Sequence, residues 1–153
     1  MKFLTPLEYD DYCASGLWIT RTEFVFEWRG RIYRIPAAFV LDFYSVPWFV
    51  RWVMPSNRPK QNKPALIHDF LRRFHKVFSL SVKDTDVAFL DAMAEVDMRR
   101  RVRRAKYRAV RIAAPFARHK GDGTPPRIVR RAMKRNGDDW KAYARLVNKS
   151  NGR

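Results

Sequence analysis

The chain has 153 residues, 46% of them hydrophobic, and a formal net charge of +17. That length and apolar content suffice for one domain with its own core plus an appendage. Cys13 is the only cysteine, which excludes an intramolecular disulfide and a Cys-based zinc site.

The charge is concentrated at one end. Residues 1–98 carry 13 basic and 12 acidic side chains, whereas residues 99–153 carry 19 and 3. The opening Met1-Lys2-Phe3-Leu4-Thr5-Pro6 lacks the apolar run of a signal peptide, so secretion by the usual route is not expected.

In chain order, Leu17–Thr20, Glu23–Trp28 and Arg31–Ile35 are short runs rich in β-branched and aromatic residues. Arg29-Gly30 between the last two predicts a tight hairpin with at least one further strand beside it. Pro36, Pro47, Pro55, Pro59 and Pro64 punctuate an irregular crossing from sheet to helices. The most hydrophobic stretch, Phe39–Met54, is broken by Asp42, Pro47 and Arg51 and falls short of the roughly 20 apolar residues of a membrane span. Its Phe43, Tyr44, Trp48, Phe49 and Trp52, with Arg51 and Arg58, are expected to fill the core; the same composition also occurs at membrane interfaces.

Pro64 suits the first turn of a helix in which Ile67, Phe70, Leu71 and Phe74 form one apolar stripe. His68 falls on the flank of that stripe and Asp69 on the far side, where Arg72 and Arg73 can pair with it. Ser81 and Asp84 begin a second helix with a capping-box-like pattern. Its stripe is Val82, Phe89, Met93 and Val96, and Asp86 falls inside it. A carboxylate facing a core costs several kcal/mol, by rough estimate, unless it is paired, so a partner is expected. His68 is the nearest candidate.

A third helix is predicted over Met98–Ala114, packing through Met98, Val102, Ala105, Ala109, Ile112 and Ala113. Arg100, Arg103, Arg104, Arg108 and Arg111 then face outward, almost without acidic neighbours, which favours a polyanionic partner. His119–Pro126 reads as a flexible joint, followed by short helices over Arg127–Arg135 and Asp138–Val147. Their few large apolar residues imply docking on a partner or on the main domain.

A His68–Asp86 contact would admit two roles. It can orient an imidazole as a general base that activates water, or it can pin two helices as a satisfied buried pair. No glycine occurs between Gly30 and Gly121, so there is no Gly-rich phosphate loop, and no histidine precedes His68 to complete a two-metal phosphohydrolase set.

Over about residues 24–117 several ordered motifs stand together: Asp42, Ser45 and Pro47; Ala65, His68, Asp69 and Leu71; Asp86, Phe89, Ala92 and Met93; Tyr107, Ala109, Val110 and Arg111. The set resembles a phage and prophage family catalogued as domain of unknown function 1353. Ala38 stands where that pattern has a turn glycine, Leu41 where it has threonine, and Arg72 where it has tyrosine. The resemblance implies a phage gene product. The His-Asp helix facing an Asp helix is also similar to secreted phospholipase A2 enzymes. That likeness would give His68 and Asp86 the paired role and Asp69 the calcium-binding one, although the chain lacks the Gly-rich calcium loop and the disulfides of those enzymes.

The expected fold is α+β: a small antiparallel sheet, then a three-helix layer, in a core domain over 1–117, with a basic helical arm over 118–153. The expected role is a phage virion component or accessory protein of the tail or head–tail region, made in the host cytoplasm. Arg100, Arg103, Arg104, Arg108, Arg111, Arg127, Arg130 and Arg131 would anchor it to DNA without sequence specificity or to acidic surfaces of other virion proteins. No metal or cofactor is expected on this reading. The alternative is an envelope- or lipid-directed hydrolase with His68 as base, Asp86 orienting it and Asp69 and Asp42 as further polar groups; calcium and interfacial membrane contact belong to that alternative. A small adaptor for a host protein is the third reading.

Overall fold

The computed structural model describes residues 1–12, 16–42, 62–116 and 120–152. The protein is α+β, with two small antiparallel three-stranded sheets and five α-helices among the described residues. One sheet has the order β1 (Lys2–Phe3), β4 (Phe24–Trp28), β5 (Arg31–Ile35). The other has the order β2 (Tyr9–Tyr12), β3 (Leu17–Thr20), β6 (Val40–Leu41). The expected single sheet is therefore two, because Leu17–Thr20 pairs with its own neighbours and leaves the β4–β5 hairpin to β1.

Trp28 pairs with Arg31 across the hairpin. Arg29 at φ 51° and Gly30 at φ 72° both adopt the left-handed conformation that a tight hairpin turn demands. A second turn, Pro36–Phe39, is held by Thr20. Its hydroxyl donates to the Pro36 carbonyl and accepts from Phe39 N, and its own carbonyl accepts from Ala38 N. Ala38 sits there at φ 66°.

The helical layer consists of α1 (Asn62–Phe74), α2 (Val82–Glu95) and α3 (Arg100–Ala113), the last running into a 3-10 turn over Ala114–Phe116. Pro64 lies in the first turn of α1 as expected. Ser81 and Asp84 close a reciprocal capping box on α2, with the shorter Asp doing the work of Glu. The main core joins Phe24, Phe26, Tyr33 and Ile35 of the hairpin to Leu66, Ile67, Phe70 and Phe74 of α1 and to Ala88 and Ala92 of α2. Phe26 and Tyr33 stack at 5.1 Å, and Phe39 meets Phe70 edge-on at 5.6 Å. A smaller cluster, Phe89, Met93 and Val110, seats α3 on α2.

The C-terminal helices α4 (Arg127–Arg135) and α5 (Trp140–Ser150) dock on the sheets. Val129 and Met133 pack with Tyr12, Leu17 and Val40, and Val147 enters the main core. Tyr143 donates its hydroxyl to the Pro36 carbonyl at 3.0 Å, and Tyr12 donates to Asp138. Asn151, just beyond α5, accepts from Arg34 N and donates to Arg34 O, so its amide covers the outer edge of β5 as a strand would.

The stretch expected as a flexible joint is fastened where it is described. Lys76 N donates to Gly121 O at 3.0 Å, and Gly123 N donates to Arg73 O at 2.9 Å. Both glycines have positive φ and lie against the end of α1, which is what their lack of a Cβ permits. Among the described residues no helix is long and apolar enough to cross a membrane. The aromatic stretch with Phe43, Tyr44, Trp48, Phe49 and Trp52, together with Ser45, Pro47, Arg51 and Arg58, lies outside the described residues, as do Cys13 and His119.

Candidate functional site

The expected stripe of α1, Ile67, Phe70, Leu71 and Phe74, is fully buried. That sets the helix phase and places His68 and, one turn on, Arg72 toward α2. The buried face of α2 is Thr85, Asp86, Ala88, Phe89, Ala92 and Met93, so Asp86 is fully enclosed at 0% exposure, whereas Val82 lies outside the packed stripe.

Three cation-capable groups converge on the Asp86 carboxylate. His68 Nε2 lies 3.0 Å from Oδ1, Arg72 Nη1 donates to the same oxygen at 3.1 Å, and Arg111 Nη1 donates to Oδ2 at 3.0 Å. His68 and Arg72 come from α1 and Arg111 from α3, so one carboxylate ties the three helices together. Arg72 also donates to the Val82 carbonyl at 3.3 Å and to Thr85 Oγ1 at 3.4 Å.

Burial alone would raise the Asp86 pKa. Hydrogen bonds from His68 and Arg111, with the positive charge of His68 and Arg72, outweigh burial and hold the carboxyl below its usual range. Burial lowers Arg72 from its usual value against the support of Asp86, and nearby Arg111 lowers it further.

An ionised carboxylate only accepts, so His68 donates to it through Nε2. The ring packs against Phe89 with centroids 5.0 Å apart, and the side chain keeps 19% of its surface exposed. Two chemical capacities follow. The group can lock helices by charge, and it can hold an imidazole in one orientation. Arg72 and Arg111 bond the same carboxylate, so Asp86 is not dedicated to the imidazole. A divalent cation at Asp86 would sit beside the same two arginines, and among the described residues no group of three His, Cys, Asp or Glu side chains could hold a metal ion.

Asp69 and Asp42 are not among the described contacts of Asp86. Asp42 is buried immediately after β6, and Asp69 remains half-buried on α1. Both arginines are buried and not on the solvent face, while Asp69 still supports their charge from α1. Arg73 donates to the Val40 carbonyl at 2.9 Å and lies 4.3 Å over the Phe39 ring, so it ties α1 to the second sheet.

The basic helices divide differently from the sequence expectation. On α3 the buried residues are Lys106, Ala109, Val110 and Ala113, while Val102 and Ile112 are 40% and 63% exposed. Val110 on Phe89 and Met93, together with Arg111 on Asp86, sets a phase rotated from the expected small-residue stripe. Arg111 is therefore drawn onto the buried carboxylate, and Arg103 is half-buried with its Nε lacking a hydrogen-bond partner. Arg100, Arg104 and Arg108 face solvent as expected, and so does Arg101. On α4, Arg127, Arg130 and Arg131 are exposed, joined by Lys134 and Arg135.

Residues 18–110 match the model of a family described as protein of unknown function (DUF1353). The chain belongs to this family. The part matching the DUF1353 model opens at Trp18 in β3 and closes at Val110 in α3, so it contains His68, Arg72 and Asp86 and stops one residue short of Arg111. Helices α4 and α5 lie beyond it. No curated protein and no solved structure matches the chain.

Proposed function

We propose that this DUF1353 protein is a component or accessory of a phage particle, in the tail or head–tail region, held by its basic helices against a polyanionic surface. The observation that supports the reading is the state of the cations. Arg100, Arg101, Arg104 and Arg108 of α3, with Arg127, Arg130, Arg131, Lys134 and Arg135 of α4, are exposed, and among the described residues none of them forms an ion pair. Like charges held together on rigid helices repel one another, and a polyanion relieves that repulsion while releasing counterions. DNA phosphates and acidic faces of other virion proteins meet this requirement, and neither calls for base reading. The phage setting is supported by the likeness of the Asp42, His68-Asp69 and Asp86 motifs to a phage and prophage pattern. Quantitative mass spectrometry of purified particles tests the reading: the chain is expected in fixed proportion to a tail protein of known copy number. Its absence from particles would overturn the reading.

One observation favours a second reading, a hydrolase of lipid or cell envelope. His68 is held by Asp86 through Nε2, which leaves Nδ1 as the nitrogen that would take a proton from water. Under this reading wild-type protein turns over phospholipid vesicles or envelope fragments, with or without added calcium, and Asp86→Asn loses turnover while staying folded. A wild type without turnover on either substrate sinks it.

A further inference from the structure

We propose that α4 is a binding site for the phosphodiester backbone of duplex DNA, centred on Arg131, Lys134 and Arg135. The proposal rests on the polyanion reading above and narrows it from two helices to one and from any polyanion to a double strand. Those three side chains line an open hollow of about 460 Å³ on the protein surface. Arg127 and Arg130 extend the same face by one turn, and α4 contains no acidic residue.

The orientation of α4 is set by its other face. Val129 and Met133 are held in the cluster with Tyr12, Leu17 and Val40, and on a helix of 3.6 residues per turn Arg127, Arg131, Lys134 and Arg135 fall on the arc opposite that pair, with Arg130 on its flank. The row is presented outward by packing, so no rearrangement is needed to expose it. From Arg127 to Arg135 it spans about 12 Å at 1.5 Å per residue. One DNA strand presents about three to four phosphates over that length, at roughly 3.4 Å each. Five cations therefore stand over a length in which one strand, measured along the duplex axis, carries about three to four phosphates.

Two further observations select the helix and the form of nucleic acid. On α3 only part of the charge faces solvent, because Lys106 is buried, Arg103 is half-buried and Arg111 is drawn onto Asp86. All five cations of α4 are exposed, with exposed Ile128 among them. Single-stranded nucleic acid is bound by stacking bases on aromatic side chains. The sequence of α4 has no aromatic residue, and nearby Trp140 packs against the Tyr12 cluster. A row of cations without rings suits a duplex, whose bases are already stacked.

The test is a salt titration of full-length protein binding to a 20-base-pair duplex, followed by fluorescence anisotropy, with circular dichroism to establish that each variant folds. Two duplexes of unrelated sequence should bind alike. R131Q/K134Q/R135Q should flatten the log–log salt slope by about 2.7, the contribution of three phosphate contacts. The α3 triple R100Q/R104Q/R108Q should flatten it by less than about 1. An unchanged slope for the α4 variant, an equal loss from the α3 variant, or tighter binding to single strand than to duplex would overturn the proposal. Binding to polyglutamate but not to duplex overturns the DNA assignment alone. Binding to neither overturns the polyanion reading itself.

Discussion

Asp86 accepts from His68, Arg72 and Arg111 with no water-exposed surface of its own, so removing its charge takes from buried Arg72 the carboxylate it hydrogen-bonds. Asp86→Asn is expected to cost about 3 kcal/mol in urea denaturation at neutral pH, as for a broken buried pair. The pH dependence follows from the lowered carboxyl value. Asp86 is ionised in the folded state at pH values where the unfolded chain, near 3.9, has begun to bind a proton. Its contribution is therefore complete above about pH 5 and is lost as pH falls through the folded value. Wild type should lose stability as pH falls below about 5, and Asp86→Asn should show a flatter profile over the same fall in chemical denaturation. Ala38, exposed at φ 66°, gives a prediction of opposite sign. Ala38→Gly should stabilise by about 0.5 kcal/mol, since relief of left-handed strain exceeds the added freedom of the unfolded chain; a lower urea midpoint for the variant would refute that. The need for a partner at Asp86 was readable from its place in the α2 stripe. Arg72 was not, because spacing alone offered it Asp69 three residues earlier, and only the packed helix shows it turned inward.

Helix ends were more legible than helix phases. Ser81 and Asp84 announce the start of α2 through chemistry local to four residues, and the capping box forms there. The phase of α3 depends on residues far away: Val110 seeks Phe89 and Met93, Arg111 seeks Asp86, and Ile112 is left in solvent. The segment after α3 shows the same limit. Its Gly-Pro composition reads as a joint, yet a Cβ at Gly123 would lie 2.6 Å from Phe74 Cε1 with φ at 93°, and one at Gly121 would lie 2.4 Å from His75 Nε2. Gly123→Ala is expected to destabilise by roughly 1–3 kcal/mol, through overpacking and strained φ. Thermal unfolding checks this; an unchanged Tm would mean that the segment is not held against α1.

At the scale of the molecule the basic arm docks on the main domain, one of the two supports expected for it. Val129, Met133 and Val147 are buried among sheet and helix residues, Tyr143 bonds to Pro36, and Asn151 covers the β5 edge. A chain ending before residue 120 would uncover those surfaces, including the Arg34 backbone that Asn151 pairs. It is expected to lose the single cooperative unfolding transition of the full chain and to bind ANS. A sharp transition in the truncated chain, at an unchanged midpoint, would show that the arm contributes nothing to the fold. Anchoring α4 in this way fixes its cations outward, which is what allows the charge of residues 99–153 to act on a partner.

The sequence by itself determined the α+β class, the β4–β5 turn, the α2 cap, the apolar face of α1 and the burial of an acid at Asp86. Each of these follows from interactions within a few residues or from a hydrophobic period, and such effects act before any long-range contact forms. Tertiary structure alone decided the division into two sheets, the rotation of α3, the docking of the arm and the pairing of Asp86 with Arg72 and Arg111. Those outcomes turn on which distant surfaces exclude water together and which charges they trap, and a buried charge takes whatever counter-charge the packed helices bring within about 3 Å.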